Sequence, residues 1–182
     1  TFGSFSAVSF NGNKVMTTGG GCMVLCKSFD EGIKTKHITT TAKIPHPYEF
    51  FHDEAGFNYR LPNLNAALGC AQMEVLPKFL AQKRELALSY KGFFKESDFK
   101  FVEEPEYAQS NYWLNAIICP NKDARETFIK ETNKQGVMTR PIWKFMNRLP
   151  MFEKSKHGPL TNSEWLESCL VNIPSSPVNI GQ

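Results

Sequence analysis

The chain has 182 residues, 41% of them hydrophobic and 21% charged, with 21 Lys and Arg against 18 Asp and Glu. That make-up belongs to globular proteins and argues against disorder or a fibre. A net charge of +3 without a basic cluster excludes a nucleic-acid-binding tail, and no apolar stretch reaches the roughly 18 to 20 residues that span a bilayer. The start, Thr1-Phe-Gly-Ser, lacks the charged-then-apolar layout of a secretory signal. A soluble, cytoplasmic protein with neither nucleic acid nor membrane as partner is expected.

Cys22, Cys26, Cys70, Cys119 and Cys169 make an odd count in a chain large enough to build its own core, so they read as reduced thiols. Cys22 and Cys26 have no nearby Cys/His pair to complete a four-donor zinc set, and no metal is expected. The chain does not open on Met, and Phe5–Phe10 reads as a buried strand rather than a frayed terminus. The sequence is therefore expected to be the later part of something longer.

Taken in chain order, the apolar runs 5–10 and 21–27 predict two strands joined by the glycine-rich stretch Asn11–Gly21. A short helix is predicted over 29–38. The segment 39–62, with Pro45, Pro47 and Pro62 and several aromatics, predicts a long irregular connection. Apolar residues from Leu64 to Phe94 recur at helical spacing, with Asn63 at the N-cap position and Pro77 predicting a kink or two consecutive helices. Beyond residue 97 the pattern predicts a strand at 113–119, a helix at 123–135 stopped by Gly136, an extended stretch at 137–141, a helix near 163–170 and a last extended piece at 171–174. This alternation defines a small α/β unit.

Lys14 draws attention through its neighbours. It follows an apolar strand and the turn Asn11-Gly-Asn13, and precedes Thr17-Thr-Gly-Gly-Gly21, where missing β-carbons admit another backbone or a ligand. A lysine partly withdrawn from water loses preference for its charged form, and a neutral amine can attack a carbonyl. Ser9, five residues earlier, could offer its hydroxyl to an anion near the same turn. On pattern alone, a solvated turn lysine stays open as the other reading.

The stretch Ser9-Phe-Asn-Gly-Asn-Lys14 with Thr17–Gly21 resembles the active-site segment of the sugar aminotransferases, pyridoxal-phosphate enzymes of fold type I that aminate nucleotide-linked keto sugars. A second block, His52-Asp-Glu-Ala-Gly-Phe-Asn-Tyr-Arg-Leu-Pro-Asn-Leu-Asn-Ala-Ala-Leu-Gly69, is similar to that family in the same order. The likeness runs on through 63–94 and, less specifically, through Ser110–Asn115 and Thr139–Pro141. It implies an α/β fold comprising the later, C-terminal half of such an enzyme: residues 1–76 closing the large-domain sheet and starting an interdomain helix, and 77–182 forming the connecting helix and small C-terminal domain. One departure is Cys22, where the family commonly has a further glycine.

By this resemblance, Lys14 matches the lysine that holds pyridoxal 5'-phosphate and Ser9 the serine that contacts its phosphate. Asn58 matches an asparagine that reaches the cofactor phosphate of the neighbouring subunit, and Arg60 lies in the same inter-subunit loop, which implies a homodimer. Arg140 lies in a region that in relatives approaches the sugar. Glutamate is the implied amino donor, and a nucleotide-activated 4-keto-6-deoxy sugar the acceptor. Thr39–His46 and Asn65–Gln72 are most similar to the branch that aminates C4 of a UDP-linked N-acetylhexosamine, on the way to legionaminic-acid-type sugars. Sugar dehydratases of the same family have histidine at the position of Lys14, so lysine favours amination. The phosphate loop, stacking ring and aspartate that relatives supply from an earlier half are not found in these residues, and the chain alone is expected to bind cofactor poorly. The alternative is a non-catalytic interaction domain that keeps the family sequence.

Of the remaining polar and aromatic residues, His46 and His52 lack a third donor and read as loop or interface packing. Asp53 and Glu54 read as solvated, and Trp113, Trp143 and Trp165 as core or interface.

Overall fold

A computed structural model describes residues 3–176 of the chain. It divides into two compact units, Thr1–Pro77 and Lys78–Gln182.

In the first unit, β1 (Phe5–Ser9) and β2 (Cys22–Cys26) form an antiparallel ribbon in which Phe5 faces Cys26 and Ser9 faces Cys22. The expected buried strand is instead largely exposed, Phe5, Val8, Met23, Val24 and Leu25 among its open side chains. Two strands alone cover neither of their faces, so apolar residues on both faces read from sequence as burial without receiving it here. Helix α1 (Phe29–Thr39) starts at a capping box: Glu31 N–H donates to the Ser28 hydroxyl and Ser28 N–H to the Glu31 carboxylate. The segment expected to be irregular contains a small hairpin, β3 (Lys43–Ile44) against β4 (Phe51–His52).

Helix α2 (Asn63–Phe94) is one 32-residue element with Pro77 inside it, where a kink or two helices were expected. Asn63 is its first helical residue rather than the N-cap: the carbonyl before it, on Pro62, accepts from Ala66 N–H at 3.0 Å. Proline at that place fixes the entry to the helix without offering a side-chain cap.

The second unit is built on a four-stranded antiparallel sheet in the order β5-β6-β8-β7, with β5 at Lys100–Phe101, β6 at Asn115–Ile118, β7 at Arg140–Pro141 and β8 at Leu170–Ile173. Phe94, Ile117, Cys119, Val171 and Ile173 form its core, and Tyr90, Phe99, Phe101, Phe128 and Ile129 pack against them. Helix α3 (Lys122–Lys134) is capped by the Asn121 side chain, which accepts from Ala124 N–H at 2.9 Å. It ends before Gly136, whose φ of 79° suits the helix stop expected there. Helix α4 spans Thr161–Cys169. Trp143 and Trp165, expected in core or interface, lie outside the core, exposed at 68% and 55%. All five cysteines are free thiols.

Candidate functional site

Lys14 lies on the connection between β1 and β2, and that connection is tied down along its length. Phe10 N–H donates to Gly21 carbonyl at 3.1 Å and Thr18 N–H to Phe10 carbonyl at 3.1 Å, which closes the loop on itself. Lys14 N–H donates to Asn11 carbonyl at 3.0 Å, forming the turn that presents the half-buried lysine. The Thr17 hydroxyl donates to Phe10 carbonyl at 2.9 Å and accepts from Gly19 N–H at 2.9 Å.

Helix α2 supplies the second set of ties. Asn65 Nδ2 donates to Thr18 carbonyl at 2.6 Å, and Gln72 Oε1 accepts from Thr17 N–H at 3.4 Å. Thr18, only 2% exposed, packs so closely on Gly69 that a β-carbon there would stand 3.0 Å from Thr18 Cγ2. Gly21 has φ +84°, a region costly for any other residue, and a β-carbon on it would meet Leu61 Cδ1 at 2.7 Å. Gly69 therefore serves a close approach of loop to helix, and Gly21 one to the segment that enters the helix. Ser9, the last residue of β1, stays exposed, and its hydroxyl accepts from Asn11 N–H at 3.4 Å. Lysine and serine thus occupy one short, braced stretch without an acidic residue between Phe10 and Gly21.

Asn58 and Arg60 lie on a second feature. After α1 the backbone reverses through Thr41 (φ 71°) and Ala42 (φ 49°), neither of them glycine. The segment approaching Asn58 is knitted onto this reversal: Thr41 N–H donates to Phe57 carbonyl at 2.9 Å, Phe57 N–H to Ile38 carbonyl at 2.7 Å and Tyr59 N–H to Thr39 carbonyl at 2.9 Å. Asn58 forms an isolated antiparallel bridge with Thr40. Arg60 borders an open hollow of about 650 Å³ with Thr40, Thr41, Lys43 and His46, which bring two cations, two hydroxyls and an imidazole to it and no carboxylate. Asp53 and Glu54 are exposed, as expected, and each also has partners on α1. The His37 ring is 2.7 Å from Asp53 Oδ1 and 3.4 Å from Glu54 Oε1, and Lys34 pairs with Glu54. The hydrogen bond from His37, with Lys34 nearby, holds the Asp53 carboxyl below its ordinary range. His46 Nδ1 accepts from Glu49 N–H at 2.9 Å, and His52 Nδ1 is 2.7 Å from Thr41 carbonyl.

Arg140 belongs to the second unit, exposed on the edge strand β7 opposite Asn172. The residue before it is fixed: Thr139 is buried, its hydroxyl 2.7 Å from that of Thr132, and its carbonyl accepts from Asn133 Nδ2 at 2.9 Å. The sequence reading missed Asn65, Gln72 and Thr18 as supports of the lysine turn. The spacing of seven between Asn65 and Gln72, which places both on one helical face, is the signal that marks them.

The mixed α/β fold is that of the sugar aminotransferases. It superposes on Helicobacter pylori PseC, described as an aminotransferase involved in the biosynthesis of pseudoaminic acid, with a TM-score of 0.88 and 21% identity, covering 99% of this chain and 50% of that one. An Escherichia coli GDP-4-keto-6-deoxy-D-mannose-3-dehydratase with bound hydrated PLP matches with a TM-score of 0.85 and 18% identity over 98% of this chain and 51% of that one. In sequence, residues 1–179 match the DegT/DnrJ/EryC1/StrS aminotransferase family, and the chain belongs to that family. EpsN of Bacillus subtilis (strain 168) is 34% identical over 84% of this chain and 39% of its own length. The GDP-perosamine synthase of Escherichia coli O157:H7 is 31% identical over 97% of this chain and 48% of its own. The chain thus spans about half the length of the curated relatives it matches or less.

The residues present fit a phosphorylated aldehyde such as pyridoxal phosphate. The braced β1–β2 connection offers the Lys14 amine close in sequence to the Ser9 hydroxyl at the end of β1, with no carboxylate between them to repel a phosphate, and Asn58 and Arg60 offer a carboxamide and a guanidinium of the kind that bind phosphate oxygens. Among the described residues, no helix is long and apolar enough to cross a membrane.

Proposed function

We propose that this chain forms part of a pyridoxal-phosphate-dependent aminotransferase that moves an amino group onto a nucleotide-linked keto sugar. The observation that carries the reading is the bracing of Lys14: a half-buried amine on a turn fixed from two sides, five positions after a serine hydroxyl. When bound, pyridoxal phosphate supplies an aldehyde for covalent attachment and a conjugated ring that draws electrons from the substrate carbon. Lys14 Nζ is the point of attachment. The same amine, kept within reach by the fixed turn, would serve as the base that takes the proton from the amino-bearing carbon of the substrate onto Nζ and as the acid that gives it back.

The Ser9 hydroxyl binds the cofactor's phosphate from the lysine side. Asn58 and Arg60 act on the site of a neighbouring subunit, so the working unit is a homodimer, and Arg140 meets the substrate. Glutamate is the donor. The two segments Thr39–His46 and Asn65–Gln72 support a UDP-linked 4-keto-6-deoxy sugar as acceptor, whereas the likeness to a protein named GDP-perosamine synthase supports a GDP-linked one. The dehydratase likeness shares the fold, but an amine at position 14 supports amination.

The test is to incubate the assembled enzyme with glutamate labelled with ¹⁵N on its amino group and either the UDP- or the GDP-linked keto sugar, then follow the product by mass spectrometry. A labelled amino sugar is expected, with the faster nucleotide naming the acceptor. Loss of water from the sugar without nitrogen incorporation, or no reaction with either sugar, refutes the reading.

A further inference from the structure

Every residue from Asp53 to Arg60 is exposed, so burial of apolar surface cannot be what holds Asn58 and Arg60 in place. Polar ties must. One set is the backbone ladder from Thr41, Phe57 and Tyr59 onto the end of α1. The other converges on His37. Its carbonyl accepts from Ala42 N–H at 2.8 Å and from Thr40 N–H at 3.2 Å, closing the end of α1 beneath two left-handed residues. Its side chain reaches across to Asp53 at 2.7 Å and to Glu54 at 3.4 Å. A backbone in that conformation persists only where its surroundings over-determine it, and His37 grips both sides of the reversal at once. Lys34, one turn earlier on α1, pairs with Glu54.

We infer that His37 is a positioning residue: its hydrogen bond to Asp53 holds the 53–60 segment in the register from which Asn58 and Arg60 bind a phosphate group. This rests on the proposed role of Asn58 and Arg60 as phosphate ligands.

The test uses His37→Ala and His37→Gln in the full chain, the glutamine amide being able to donate to Asp53 as the ring does. Two quantities are read: hydrogen exchange of the Phe57 and Tyr59 amides, and affinity for inorganic pyrophosphate. In His37→Ala the two amides are expected to exchange about fivefold faster and pyrophosphate to bind about fivefold more weakly. The Ile117 and Val171 amides of the other unit stay unchanged, and His37→Gln returns both readings to within about twofold of the parent. Unchanged exchange in His37→Ala overturns the inference, as does faster exchange with undiminished affinity. If the parent chain itself takes up no pyrophosphate, the phosphate-binding role of Asn58 and Arg60 fails, and the exchange result alone decides whether His37 holds the segment.

Discussion

Replacing Asn65 with alanine removes the strongest tie between α2 and the lysine turn. The bond from Asn65 Nδ2 to Thr18 carbonyl is 2.6 Å long and serves a residue that is almost fully buried. A hydrogen bond of this kind contributes about 1 kcal/mol net, and leaving its carbonyl buried and unpaired costs about 1–3 kcal/mol. Taking about 2 kcal/mol, the turn should open about thirtyfold more often. The reporter is the Thr18 amide, which donates to Phe10 carbonyl inside the same loop; its exchange should accelerate by that factor while the amides of β6 and β8 keep their rates. Asn65→Asp, nearly the same shape but unable to donate once ionised, should loosen the turn at least as much. Exchange within about twofold of the parent in both variants would refute the view that this bond braces Lys14.

Three further outcomes follow from the packing. Gly56→Ala would set a β-carbon 2.5 Å from Thr41 C and 2.6 Å from Ala42 N, both backbone atoms, so it should destabilise the first unit by about 1–3 kcal/mol in chemical denaturation; an unchanged midpoint contradicts this. Arg84 grips Glu104 through two bonds of 2.7 and 3.1 Å, and Ser110 N–H adds a third of 2.7 Å, holding that carboxyl below the ordinary glutamate value of 4.5. Because the folded value is the lower one, this stabilisation is present above pH 4.5 and is lost as the pH falls through the folded value; Glu104→Gln should flatten the acid limb of the second unit's denaturation profile, and an unaltered limb contradicts the assignment. Asn115 is 1% exposed, and among the described residues both polar atoms of its side chain are buried without a partner. Asn115→Leu should therefore stabilise the second unit by about 1–2 kcal/mol, read from the denaturation midpoint, and a loss of stability refutes the accounting.

What the sequence disclosed depended on how local the cause was. Helix α3 was legible from periodicity and Gly136, and the lysine turn from its glycines, since these are decided within a few residues. Strands β3, β4 and β5 have two residues each, too few to show alternation, and only pairing partners elsewhere in the chain define them. The exposure of β1 and β2 could not be read from their composition, because apolar residues on both faces say what a strand can bury rather than what covers it. The grips of Asn65 on Thr18, across 47 positions, and of His37 on Asp53, across 16, are tertiary and leave no periodic trace. Asp53 and Glu54 are exposed as expected, but their partners on α1 could not be read from the sequence.

The central claim is that the Lys14 amine binds pyridoxal phosphate covalently. The direct measurement is borohydride reduction of the assembled enzyme in the presence of the cofactor, followed by peptide mass mapping. The account predicts a phosphopyridoxyl mass on the peptide containing Lys14, absent in Lys14→Ala. Labelling elsewhere with Lys14 unmodified would contradict it, and the chain would then share only the fold of its relatives.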